Sequence, residues 1–176
     1  MADLQIAHTA DLDPEVLRAG RALLYDVFDD MTDDDWEHSL GGMHALVWED
    51  GELIGHASVI QRRLMHAGLA LRAGYVEGVG VRADRRGRGH GAAMMDALER
   101  IISRAYDLGA LGATDEAATF YTARGWRPWC GRCFALTPDG ITRTKDEEGA
   151  IFVLPQGVPL DLSGELTCDW RGGDVW

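Results

Sequence analysis

What the 176-residue chain lacks narrows its function before any motif is read. No apolar run approaches the roughly 20 residues that span a bilayer, and the opening Met-Ala-Asp-Leu-Gln has neither the basic nor the apolar part of a secretory signal. A cytoplasmic protein without a membrane partner is expected. Only three cysteines are present, an odd number that does not suit a disulfide framework. Cys130-Gly-Arg-Cys133 has no second ligand pair for zinc and no strand-to-helix redox setting, so no metal is expected. Internal repeats and low-complexity segments are absent as well. The length is enough for one domain with its own core and short for two, and a single domain over 1–176 is expected.

Positive charge is scarce, with a formal net charge of -12, which argues against a nucleic-acid partner. The basic residues bunch in Val79-Gly-Val-Arg-Ala-Asp-Arg-Arg-Gly-Arg-Gly-His-Gly91. Here an apolar strand meets a turn rich in glycine and arginine and then a helix, the composition of a phosphate cradle. Glycines allow close backbone approach, the turn's N–H groups and the helix dipole favour an anion, and Arg82, Arg85, Arg86 and Arg88 supply countercharge. The Gly-Lys-Ser/Thr ending of a Walker A loop is missing. Gly87-x-Gly89-x-x-Ala92, with Asp115 further on, does satisfy the loose dinucleotide pattern, and a plain basic helix entry would be the structural reading. Three alternating glycines weaken a helix start without a reason in that last case.

Patterning places the other elements. Leu4 to His8 reads as a strand. Asp13-Pro14 opens a helix with Val16, Leu17, Leu23, Leu24, Val27 and Phe28 at helical spacing, and Thr32 caps a second over Asp33, Asp34 and Asp35. Met43 to Trp48 and Leu53 to Ile60 flank a hairpin turn at Asp50-Gly51. A further strand runs from about Leu69 to Val81, interrupted near Gly74, with Glu77 on the face of Val79 and Val81. A glutamate mid-strand asks for an explanation. Met94, Met95, Leu98, Ile101, Ile102 and Ala105 then form a helix stripe, Ala110 to Gly112 a short strand, and Thr114 to Arg124 a helix. Strand, helix, strand implies a right-handed parallel crossover. Trp126 to Thr137 and Ala150 to Leu154 are the last strands, with a charged loop between them. The acids gather at Asp29, Asp30 and Asp33 to Asp35 and again at Asp146, Glu147 and Glu148. They either solvate caps and loops or attract a cationic partner.

Arg86-x-x-Gly89-x-Gly91 after an alternating strand resembles the pyrophosphate loop of the GNAT superfamily of N-acetyltransferases. The order of antiparallel strands, one crossover and Phe120-Tyr121-x-x-x-Gly125-Trp126 is similar too. The resemblance implies an α/β (α+β) GNAT fold, a mixed, mostly antiparallel sheet splayed at a central parallel pair and flanked by helices. It also implies acetyl-CoA as co-substrate, contacted by Val79, Val81, Arg86, Gly87, Arg88, Gly89, His90 and Gly91. Asp35-Trp-Glu-His38, Leu40-Gly-Gly-Met-His-Ala45, Gln61-Arg-Arg-Leu64, Gly74-Tyr-Val-Glu-Gly78, Leu108-Gly-Ala-Leu111, Arg124-Gly-Trp126, Cys168-Asp-Trp-Arg171 and Gly173-Asp-Val-Trp176 resemble the aminoglycoside 2′-N-acetyltransferases in particular.

That group acetylates the antibiotic's 2′-amine by direct attack in a ternary complex and so confers resistance. By resemblance the aminoglycoside would meet Asp30, Glu77, Gly112, Glu147, Asp174 and Trp176 with its terminal carboxylate. Gly112 stands where a relative has serine. Glu77 suits either a general base or an anchor for the ammonium. Tyr121, a phenol of ordinary pKa about 10, suits a proton donor to the departing thiolate. A homodimer is one expectation, while the sequence itself leaves oligomeric state open. Two other function classes stand beside this one: acetylation of a small metabolic amine such as a thiol-sugar precursor, and a noncatalytic acyl-CoA sensor that would need neither Glu77 nor Tyr121.

Overall fold

In the computed structural model, which describes residues 1–176, the elements in chain order are β1 (Ala2–His8), α1 (Pro14–Val27), α2 (Asp33–His38), β2 (Met43–Glu49), β3 (Glu52–His66), β4 (Leu69–Val81), α3 (His90–Ala105), β5 (Leu108–Gly112), α4 (Asp115–Ala123), β6 (Arg127–Pro128), β7 (Cys133–Thr137), β8 (Gly140–Arg143), β9 (Ile151–Pro155) and β10 (Leu166–Cys168). The chain forms two compact units. The first comprises Met1–Ile60 and Val76–Ile101, the second Gln61–Tyr75 and Ile102–Trp176, so the boundary passes through β3, β4 and α3.

In the first unit β1 pairs antiparallel with β2 from Ala2↔Glu49 to His8↔Met43. β2 pairs in turn with β3 through a hairpin whose Asp50 and Gly51 take φ of 52° and 83°. Two successive left-handed residues match the right-handed twist of the flanking strands, which is why Asp-Gly is favoured there. α1 begins with Pro14 at its first position and buries Gly20, Leu23 and Leu24. α2 begins with a capping box in which Thr32 Oγ1 accepts from Asp35 N–H and the Asp35 carboxylate accepts from Thr32 N–H. Leu12, Leu23, Leu46 and Leu53 form a core cluster with Val16, Leu17 and Trp48 packed on it.

In the second unit a short parallel ladder, Ala73 to Tyr75 of β4 against Leu108 to Ala110 of β5, closes the crossover. β9 lies antiparallel to β5 and to β6. Leu64 and Met65 of β3 pair antiparallel with β10, β10 runs parallel to β7, and β7 forms a hairpin with β8. The result is a mixed sheet with helices on it.

Several boundaries differ from those expected. β4 is not interrupted at Gly74, which is buried within the strand. A Cβ there would lie 2.7 Å from the Tyr106 ring and 2.8 Å from Ile102 Cγ1, so this glycine serves a close approach rather than a break. The left-handed residue of β4 is Gly78, at φ 55°. β3 runs on to His66, α3 begins at His90, and the charged region after Thr137 contains β8. β10, which the pattern did not reveal, is only three residues long. Cys130, Cys133 and Cys168 are free thiols; burial raises Cys133 to about 12 and Cys168 to about 11, which keeps both unreactive.

Candidate functional site

Each unit carries part of the expected machinery. In the first unit β4 leads through Arg82 and a 3-10 turn, Ala83–Arg85, to the start of α3. Gly87 and Gly89 take φ of 74° and 85°, and a Cβ on either would meet nothing within 4 Å. These glycines are required by backbone conformation, and the space beside them is open. The first helical bond of α3 runs from Ala93 N–H to Gly89 C=O at 3.0 Å, leaving the N–H groups of the first turn without helical acceptors. His90 Nε2 is buried there without a hydrogen-bond partner.

The four arginines divide into two pairs. Arg82 binds Asp84 and Glu52, each at 2.7 Å, and Arg85 binds Glu49 and Asp84. Hydrogen bonds from Arg85 and Arg82 hold the carboxyls of Glu49 and Asp84 below their ordinary values. These two arginines therefore brace the turn and are not available as countercharge. Arg86 and Arg88 are exposed and donate only to backbone carbonyls, of Val81 at 3.1 Å and of Asp84 at 3.4 Å. They are the pair able to meet an anion. Val79 and Val81 are half-buried on β4. Glu77, half-buried, immediately precedes the left-handed Gly78, and Asp30 is exposed ahead of α2.

In the second unit Tyr121 is buried on α4, its ring set against Phe120 at 5.2 Å, Trp126 at 6.1 Å and Phe152 at 6.5 Å between centroids. Gly112 ends β5 and is exposed. A Cβ at that position would approach only Tyr75 Oη, at 3.8 Å, so serine would fit there without displacement.

The acid loop and the chain end come together in this unit. Arg143, Thr144, Lys145, Asp146, Glu147 and Val175 line a cavity of about 410 Å³. Arg143 is occupied by Glu148, at 2.8 and 3.0 Å. Asp146 and Glu147 have no ion pair, and burial together with Asp174 and Asp146 raises the Glu147 carboxyl above its ordinary value. Three carboxylates, Asp146, Glu147 and Asp174, thus act on one another here, with Lys145 on the same loop and Arg143 already engaged by Glu148.

Trp176 is placed differently from an exposed aromatic face. Its ring is buried, and its Nε1–H donates to Thr144 Oγ1 at 2.8 Å, while its N–H donates to Asp174 Oδ1 at 2.9 Å. Arg171 donates to the C-terminal Trp176 oxygen and, at 2.9 Å, to Asp174 C=O. Arg62, 3 % exposed, bonds Asp169 and donates to Val175 C=O at 2.7 Å. Arg62 and Arg171 both stack on the Tyr75 ring, at 4.7 and 5.5 Å. Sequence reading gave these two arginines no role. The available signal was strand alternation, which sets Arg62 on the inward side of β3 with Leu64 and His66.

A family model described as the acetyltransferase (GNAT) domain matches residues 15–129, and the chain belongs to the GNAT acetyltransferase family. It is 50% identical, over 177 aligned residues covering 98% of this chain and 91% of the other, to an aminoglycoside 2′-N-acetyltransferase of Mycolicibacterium fortuitum. Among solved structures it resembles the GNAT family N-acetyltransferase YhbS of Escherichia coli, solved in complex with CoA, with a TM-score of 0.67 at 17% identity over 95% of this chain and 89% of that one. An acyl-CoA N-acyltransferase of Pseudomonas aeruginosa superposes with a TM-score of 0.63 at 18% identity, over 88% and 99%.

Proposed function

We propose that this protein transfers the acetyl group of acetyl-CoA to the 2′-amine of aminoglycosides by direct attack in a ternary complex, and so confers resistance to them. The observation that carries the reading is the cavity of the second unit, where Asp146 and Glu147 have no ion pair and Asp174 acts on Glu147, in a member of the GNAT family. Glu147 is pushed toward protonation by burial and then by Asp174 and Asp146, and a polycation would relieve the repulsive part. The full-length likeness to the Mycolicibacterium fortuitum protein, whose name specifies the 2′ position, supports the same choice.

The loop fits a pyrophosphate, because the open space at Gly87 and Gly89 is what side chains would fill. Arg86 and Arg88, the amides from Gly87 to Gly91 and the start of α3 would hold the phosphates, and Val79 and Val81 would pair along the pantetheine arm. Bound acetyl-CoA supplies an activated acetyl group as a thioester. Glu77 takes a proton from the 2′-ammonium, directly or through water, so that the amine can attack. The N–C bond forms, the C–S bond breaks, Tyr121 donates its proton to the departing thiolate, and the second proton lost by the acylated nitrogen passes through water to restore the phenol. Asp30, Glu147 and Asp174 hold the remaining ammonium groups, joined by the Trp176 carboxylate, one oxygen of which also accepts from Arg171, with Gly112 beside the sugar. Since acetyl-CoA is a cytoplasmic metabolite, we place the enzyme in the cytoplasm.

Thiol release from acetyl-CoA across a panel of amines tests the proposal. Turnover with tobramycin, which has a 2′-amine, and little with analogues bearing a 2′-hydroxyl is expected. Silence on every 2′-amino aminoglycoside together with turnover of a small metabolic amine would overturn it.

A further inference from the structure

His44 and His56 lie buried in the first unit, on β2 and β3, and nothing in the mechanism above uses them. Their hydrogen bonds form one continuous row. Thr9 Oγ1 lies 2.8 Å from His44 Nε2, His44 Nδ1 lies 3.0 Å from His56 Nε2, and His56 Nδ1 lies 2.8 Å from the carbonyl oxygen of Gly78. The far end decides the direction of the whole row. A carbonyl can only accept, so His56 Nδ1 carries a proton, and in a neutral ring Nε2 is then an acceptor. His44 must supply the proton between the rings from its own Nδ1, which makes His44 Nε2 an acceptor for the Thr9 hydroxyl, at 2.8 Å against 3.2 Å to that hydroxyl's other acceptor, Gly42 C=O. Gly41 N–H donates to that same hydroxyl oxygen at 2.9 Å and holds it in place. Burial pushes both imidazoles down to about 4, so both rings are neutral near pH 7, as this pattern requires.

The row ends at the residue after Glu77. Gly78 has φ 55°, and a Cβ there would lie 2.8 Å from Leu24 Cδ1, 2.9 Å from Ser39 Oγ and 3.2 Å from His56 Nδ1. The left-handed turn of β4 is therefore wedged into its surroundings and pinned by one imidazole N–H. His56 also contacts the two N-terminal helices. Its ring centroid is 5.9 Å from that of Trp36 on α2, and a Cβ on Gly20 of α1 would approach it at 3.5 Å. One side chain thus meets α2, β2 and β4, and lies close to Gly20 of α1.

We propose that His56, held in its Nδ1–H tautomer by His44 and Thr9, is a positioning residue that fixes the Gly78 turn of β4 and through it the location of the Glu77 carboxylate. This rests on the role given to Glu77 above. His56 never meets substrate; it acts by holding the backbone on which the proton acceptor stands. An apolar residue of similar volume would fill the space, yet it would remove this donor from the part-buried Gly78 carbonyl.

The test has a spectroscopic and a kinetic arm. Nitrogen-15 imidazole shifts of the wild-type chain at pH 7 should show Nδ1 protonated and Nε2 unprotonated in both rings, where an Nε2–H tautomer or a charged ring at His56 would overturn the proposal. His56→Leu should lower kcat by roughly tenfold to a hundredfold, the size expected when a reacting group is displaced, with CoA affinity unchanged. His56→Asn, which keeps a donor near the Nδ1 position, should recover part of that loss. Wild-type kcat in folded His56→Leu would refute the positioning role. His44→Leu provides the same comparison if His56→Leu does not fold, because it removes the donor that sets the His56 tautomer. If the wild-type chain acetylated no aminoglycoside, the function proposal would fail by itself. The tautomers and the carbonyl carbon-13 shift of Gly78 in His56→Asn and His56→Leu would still decide the hydrogen-bond row.

Discussion

Replacing Gly89 by valine separates the phosphate-cradle reading from its alternatives. At φ 85° a side chain strains the backbone by about 1–2 kcal/mol, more when it is β-branched. Because nothing lies within 4 Å of the new Cβ, that strain is the whole folding penalty, and a chain of this size should lose only about 2–8 °C in Tm. Cofactor binding should suffer far more, since the side chain occupies the space meant for phosphate oxygens. Each charge-assisted backbone bond lost removes about 1.5–3 kcal/mol, so CoA affinity should fall by roughly tenfold to a hundredfold per bond. Titration calorimetry with CoA, alongside thermal unfolding, measures both quantities. Gly109→Ala is the control, because its Cβ would lie 2.9 Å from the Trp126 ring and 3.2 Å from both Ile102 and Leu154, which lowers stability without touching the loop. Unchanged CoA affinity in folded Gly89→Val would refute the cradle, and binding of a nicotinamide dinucleotide instead would favour the dinucleotide pattern.

Tyr121→Phe keeps the ring packing against Trp126 and Phe152 and removes only the hydroxyl, so kcat should fall by about 10² to 10⁴ with ligand affinity nearly unchanged; steady-state kinetics at wild-type level would return Tyr121 to a packing role. Asp174→Asn should raise the aminoglycoside KM and weaken its dependence on salt, whereas Trp176→Ala, which empties a buried site, should also destabilise the fold by about 3 kcal/mol; equal KM values for Asp174→Asn and wild type would remove Asp174 from the acceptor site. Acid should destabilise the protein through His44 and His56. Both fold neutral with values near 4 against an ordinary 6.5, so only the unfolded chain takes up protons between those limits, and stability present above pH 6.5 is lost as pH falls toward 4. At pH 5 the deficit is about 2 kcal/mol per imidazole, and urea midpoints of His44→Leu/His56→Leu should vary less between pH 7 and 5 than those of wild type.

Short-range chemistry was legible in the residues alone. The Asp50-Gly51 hairpin, the Thr32 capping box, Pro14 at the start of α1 and the glycine-arginine turn into α3 each depend on neighbours within a few positions, so pattern and turn propensity suffice to place them. What the tertiary structure decided depends on partners far along the chain. Arg62 finds its carboxylate 107 residues away and Trp176 its hydroxyl 32 residues back. β10, with three residues, is too short to show a period and becomes a strand only because β3 and β7 offer it hydrogen bonds on both sides. The loop arginines show the same division within one motif. Four equivalent cations appear in the sequence, and only folding brings Glu49 and Glu52 to Arg85 and Arg82, leaving Arg86 and Arg88 for an anion. A charge reads the same on paper whether or not it is already paired, because pairing is a matter of distance in space, which composition and spacing do not contain.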